Sequence, residues 1–321
     1  MDIFLLTLEQ MLMMTTLMVV GYFLRKKNIV PDNTGIALSK LETFVLAPSL
    51  SITNMLKNCN IENFMKNYKL MLYGLAIVTV AIAIAYLISR FFIKNTAGNP
   101  ELEYRRNIYK YALTFSNYAF VGNFVILGVW GEGMLYKYLM FTFLMGIICG
   151  SWGLYVLIPK GQGSISQNLK KGLTAPPIFA MVFGIVCGIL DLKQYFPSFL
   201  LIALDNASKC MGPVAMLLAG VVIGGYNIKG LLADKKVYIV SLLRLIALPT
   251  LFLTILNLLG TDKEIMILAL IAFASPLGLN TIVYPAAYGG ETKTGASMTV
   301  VSQTLSVITI PVMYYIFIVL L

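Results

Sequence analysis

Three asparagines, Asn117, Asn123 and Asn280, sit beside helix-breaking residues in stretches otherwise apolar enough to lie inside a membrane. One stretch reads Ser116-Asn117-Tyr118-Ala119-Phe120-Val121-Gly122-Asn123. The other reads Ser275-Pro276-Leu277-Gly278-Leu279-Asn280, followed by Tyr284-Pro285. A broken helix presents two ends, each equivalent to about half a charge, and its N-terminal ends offer free N–H groups to an anion. An asparagine at such an end can cap the freed backbone, bind a carboxylate, or do both. Ser116 and Ser275 are open to the same two readings, backbone partner or ligand. This is binding chemistry and not bond-making chemistry. Histidine is absent, which excludes a zinc protease of the HExxH type and any Ser–His hydrolase. No GxGD or GxxxxGK[ST] motif occurs, and the four cysteines form no CxxC pair, so neither a metal site nor a cofactor is expected.

Charged residues inside apolar spans are expensive and mark functional candidates. Asp205 and Lys209, four apart, can pair on one helix face as a neutral structural pair or as a gate or coupling switch. Arg244 can neutralise a substrate carboxylate, or it can snorkel or pair with a carboxylate. Glu42 is also inside a span, whereas Glu9 and Lys40 lie near span ends. Gln303, with Ser302 and Thr304, offers uncharged oxygens for a substrate, for sodium or for helix packing. Neither break contains an acidic residue, which favours an anionic or neutral substrate over pure cation exchange. Gly131-Glu132 and Gly290-Glu291 read as caps at helix turns.

The elements that must position these residues follow from composition. Of 321 residues, 59% are hydrophobic and 12% charged, too little charge to cover a water-facing surface. Apolar runs of about 20 residues predict ten membrane spans, at roughly 5–24, 36–56, 69–93, 107–130, 134–158, 176–192, 198–225, 237–259, 264–288 and 295–320. The net charge of +10 would suggest nucleic acid in a soluble chain. Here its placement matters more, and no nucleic acid is expected. Lys and Arg concentrate in the odd-numbered loops (Arg25, Lys26, Lys27; Arg105, Arg106; Lys160, Lys170, Lys171; Lys235, Lys236), so the positive-inside rule predicts both termini outside. Arg25-Lys26-Lys27 follow the first apolar run, which therefore reads as a span and not as a cleaved signal.

A shift of 159 residues lays Ser116 on Ser275 and Gly131-Glu132 on Gly290-Glu291, while Pro48 and Pro213 mark the second and seventh spans. These matches predict two five-span repeats, 1–158 and 159–321. An odd number of spans makes their orientations opposite, so the fold expected is an all-α integral membrane protein of inverted repeats whose fourth and ninth spans are broken.

The ninth and tenth spans, Ala274-Ser275-Pro276-Leu277-Gly278-Leu279-Asn280-Thr281, Tyr288-Gly289-Gly290-Glu291 and Thr304-Leu305-Ser306 to Thr309-Ile310-Pro311, resemble the auxin efflux carrier family. That family includes plant PIN carriers and bacterial malate-permease-like proteins. Asn117 with Gly122 is similar to its first crossover, but Phe124 stands where the family usually has proline, so a less sharply broken first crossover is expected. The chain lacks the long central loop of long PIN proteins and resembles the compact bacterial type. The resemblance implies a fold like that of bile-acid symporters and sodium–proton antiporters. It implies a scaffold of spans 1, 2, 6 and 7, a mobile unit of spans 3–5 and 8–10, elevator-type alternating access and a homodimer. The expected function is a secondary carrier in the cell membrane for small organic anions, mono- or dicarboxylates such as malate or auxin-like acids. Substrate-binding candidates are Asn117, Asn123, Ser275, Asn280 and Gln303, with Ser116, Gly122, Pro276 and Gly278 shaping the crossover. Proton and sodium coupling both stay open, as do a sodium-coupled neutral or bile-acid-like cargo and a non-transporting receptor.

Overall fold

A computed structural model describes residues 3–159 and 165–320, and its described elements are all helical apart from one isolated β-bridge. Lys160, counted above among the cationic loop residues, lies outside the described residues. The principal helices are α1 (Ile3–Lys26), α2 (Thr34–Asn58), α3 (Lys69–Phe92), α4 (Pro100–Thr114), α5 (Tyr118–Leu157), α6 (Pro176–Ile189), α7 (Ser198–Gly224), α8 (Lys235–Leu258), α9 (Lys263–Ala274), α10 (Asn280–Ala287) and α11 (Lys293–Leu320).

Local chemistry accounts for the ends of these helices. The α1 helix closes on Arg25 and Lys26, whose charges suit its negative terminus. At the start of α4, Asn99 accepts a hydrogen bond from the Leu102 N–H, Pro100 takes the first turn, and Glu101 and Glu103 follow. The α4 helix stops at Thr114, and Phe115 is extended. Ser275 is extended where α9 stops, as expected for a residue preceding proline.

Among the described residues, seven stretches are long and apolar enough to cross a membrane. The sequence predicts more, and the geometry explains the difference. Tyr118–Leu157 runs 40 residues and bends at Gly131, whose φ of 80° is a conformation glycine tolerates. The α6 helix has only 14 residues, and α9 with α10 is interrupted. The first break leaves residues 115–117 outside helix and restarts as a π-turn, Tyr118–Gly122, while the second leaves 275–279 outside. The first crossover is thus the shorter interruption, as Phe124 in place of proline implies.

The α7 helix packs along α1 and α2, and α6 packs on α2. Contact between α1 and α7 is close enough that a Cβ on Gly21 would strike the Leu217 backbone, and one on Gly220 the Met18 backbone. A second group forms where α3 meets α4 and α5, and α8 meets α9 and α11. Large apolar side chains on the outer faces of these groups, such as Phe44, Phe91, Phe179 and Leu258, are exposed, as suits a lipid-facing surface.

Candidate functional site: two crossed helix breaks over an uncharged cavity

The two breaks touch. Ser116 and Leu277 form an antiparallel bridge, and the Asn117 N–H donates to the Pro276 carbonyl at 2.7 Å. Each break thereby supplies backbone partners that hydrocarbon cannot. Ser116 Oγ donates to the Ala272 carbonyl at 2.5 Å and Ser275 Oγ to the Ile271 carbonyl at 2.6 Å, so both serines cap the end of α9. From α11, Ser302 Oγ accepts the Leu277 N–H at 2.9 Å. Gly278 passes close to the Ser116 carbonyl, and Gly122 leaves room for the Tyr138 hydroxyl, which donates to the Tyr118 carbonyl at 3.0 Å.

Beyond the crossing lies a cavity of about 200 Å³, bounded by α2, α5, α6, α7 and α10. The N-terminal segments of both half-helices that follow the breaks line it: Tyr118, Ala119 and Asn123 from α5, Asn280 and Tyr284 from α10. Asn280 Nδ2 donates to Tyr111 Oη at 2.9 Å and lies 3.7 Å from Cys149 Sγ. Asn123 is 7% exposed, and its Oδ1 has no hydrogen-bond partner. Thr43, Ser51 and Thr142 add hydroxyls, Phe120 and Phe143 add aromatic faces, and no Lys, Arg, Asp or Glu lines the cavity.

Asn117 does not line this space; its backbone joins the crossing, and its carbonyl accepts the Val121 and Gly122 N–H groups. Ser275 and Gln303 are buried away from the cavity, Gln303 with its Nε2 unpaired. Asp205 and Lys209 pair at 2.6 Å, but as part of a longer chain: Lys57 Nζ contacts Asp205 at 2.8 Å and Glu132 at 2.9 Å. Arg244 lies in the other helix group, behind the crossing, next to Leu113 and Phe273.

A family profile described as membrane transport protein matches residues 6–168 and 164–314. The chain belongs to this family, the auxin efflux carriers. A protein of Methanocaldococcus jannaschii, named an uncharacterized transporter, is 25% identical over 314 residues, covering 94% of this chain and 96% of that one. Family and relative together with the apolar helices make this a multi-pass membrane protein of a transporter family and not of an enzyme family.

In this auxin efflux carrier family member, a second space of about 770 Å³ adjoins the cavity, with Thr43 and Tyr284 lining both. It runs toward the α1–α2 loop, past Lys40, Arg25 and Tyr226. Toward the opposite end the path closes: Phe124 packs on Gly212, where a Cβ would overlap its ring, and only about 30 Å³ remains among Leu50, Asn123 and Met211. Glu42 is 0% exposed in a π-turn of α2, both carboxyl oxygens without partners, directly before Thr43.

Sequence reasoning missed Tyr111, Tyr118, Cys149, Tyr284 and Lys57, and read Glu132 only as part of a cap at a helix turn. The small residues Gly146, Cys149, Gly150 and Ser151, grouped in one span, are a sequence signal that something approaches closely there.

Proposed function

We propose that this protein is a secondary carrier of small organic anions, with monocarboxylates bearing an apolar body ahead of dicarboxylates such as malate. The observation that carries this reading is the convergence of the α5 and α10 N-terminal turns, with Asn123 and Asn280, on one cavity without a charged side chain. Two positive helix ends and amide donors suit one carboxylate. A second negative charge would enter without a cation to meet it, a heavy cost in a poorly hydrated site. The aromatic faces of Phe120 and Phe143 suit an apolar body.

In this reading the chain forms ten spans in two inverted repeats, 1–158 and 159–321, in the cell membrane with both termini outside. The scaffold is α1, α2, α6 and α7, through which a homodimer forms, and the remaining helices form the mobile unit. The extensive packing of α7 on α1 and α2 and of α6 on α2 supports this scaffold, against which α11 and α5 of the mobile unit also pack. The larger space then opens to the cytoplasm, and the described conformation faces inward. Phe124 on Gly212 and the Glu132–Lys57–Asp205–Lys209 chain close the outer side. Movement of the mobile unit past the scaffold would break both contacts and present the cavity to the outside.

Uptake of labelled phenylacetate and labelled malate into proteoliposomes tests the substrate class. Saturable phenylacetate uptake, inhibited by other monocarboxylates and weakly by malate, is the expected result. Malate uptake exceeding phenylacetate uptake would reverse the preference, and flux of neither acid would sink the anion reading.

A further inference from the structure

A second buried charged side chain, besides Glu42, takes no part in the cavity. Arg244 stands in a π-turn at the middle of α8, Leu243–Ala247, and is 0% exposed. Among the described residues no carboxylate lies within salt-bridge distance of it. Its Nη1 lies 3.5 Å from the Leu113 carbonyl, and its guanidinium carbon lies 5.5 Å from the centre of the Phe273 ring, while Nε and Nη2 have no hydrogen-bond partner. Arginine stays protonated in proteins, and a buried unpaired charge is too expensive to persist without something negative nearby.

The negative partners are helix ends. Leu113 belongs to the last turn of α4, and Phe273 to the last turn of α9. Each C-terminal end carries roughly half a negative charge, and the Ser116–Leu277 bridge holds the two breaks together. The serine caps on Ala272 and Ile271 satisfy hydrogen bonds but are neutral, so they leave that charge in place. Two half charges side by side repel each other, and one guanidinium matches their sum.

We infer that Arg244 is the fixed counter-charge of the crossing, a positioning residue that lets the α4 and α9 ends lie together. It thereby holds α5 and α10 with their positive ends on the cavity. The crossing then needs no transported cation, because the chain supplies its own. Removing the charge turns the same place into a site for a small monovalent cation. This inference builds on the carrier reading above for its consequences but not for its geometry.

The test compares wild type, Arg244→Lys and Arg244→Gln, purified in detergent. Thermal stability is read in sodium chloride and in choline chloride, and phenylacetate uptake is read in proteoliposomes. Wild type and Arg244→Lys are expected to be stable in both salts, with uptake within about threefold of each other. Arg244→Gln is expected to lose about tenfold in uptake, a loss of the size expected for one charge-assisted contact. Its melting temperature should rise in sodium chloride relative to choline chloride. If Arg244→Gln cannot be purified folded while Arg244→Lys can, the requirement for charge stands. A glutamine variant equal to wild type in choline, or a loss that neither lysine nor sodium repairs, would overturn the inference. The stability readings need no substrate, so they stand even where the carrier reading fails and wild type takes up no acid.

Discussion

At the scale of single residues, the polar groups of this membrane chain separate by whether their hydrogen bonds are spent. Ser116, Ser275 and Ser302 spend theirs on backbone at the crossing. Asn123 keeps an unpaired oxygen beside the cavity, and Asn280 turns its amide to Tyr111 and Cys149 at the cavity wall. Glu42 also leaves both oxygens without a partner, but it is buried and does not line the cavity. An ionised carboxylate in that position would cost several kcal/mol, so a neutral side chain of the same shape should serve as well. Glu42→Gln is therefore expected to match or exceed wild type in thermal stability. A fall in melting temperature worth more than about 2 kcal/mol would mean that the carboxylate has a partner in the membrane-embedded protein.

Among elements, the breaks were readable from the sequence and their partners were not. Pro276 and Gly278 announce an interruption because proline lacks an N–H and glycine needs no helix. Nothing in the apolar runs tells that Ser116 will pair with Leu277, or that Phe124 will close on Gly212, since most membrane residues are apolar on every face. The four-residue ionic chain was half legible: the i, i+4 spacing gives Asp205–Lys209, but Lys57 and Glu132 come from distant helices. That chain joins the two packing groups, and its side chains are partly exposed, 32% for Lys57 and 51% for Glu132. An exposed ion pair contributes about 1 kcal/mol or less, so under the proposed carrier mechanism Lys57→Met should shift the ratio of closed to open conformations by no more than about fivefold. Alkylation of a Ser208→Cys probe in a cysteine-free background reads that shift, because Ser208 lines the closed space beside Phe124 and Gly212. A faster reaction in Lys57→Met is expected. An unchanged rate would remove the ionic chain from the gate.

For the whole molecule, apolar composition implied the membrane setting that the long apolar helices bear out, and the ninth- and tenth-span residues pointed to the family that the profile match bears out. The cavity lay beyond reach of the sequence because five helices build it, joining Thr43 to Asn280 across more than half the chain. Its lack of charged lining supports the proposed cargo class more than the motifs do. The most direct measurement is saturable phenylacetate uptake into proteoliposomes by wild type and by Asn123→Ala/Asn280→Ala. Losing two amide contacts to a carboxylate, each worth about 1.5–3 kcal/mol, should reduce uptake by well over about tenfold while the protein stays folded. A folded double variant that transports at the wild-type rate would contradict the assignment of this cavity as the substrate site.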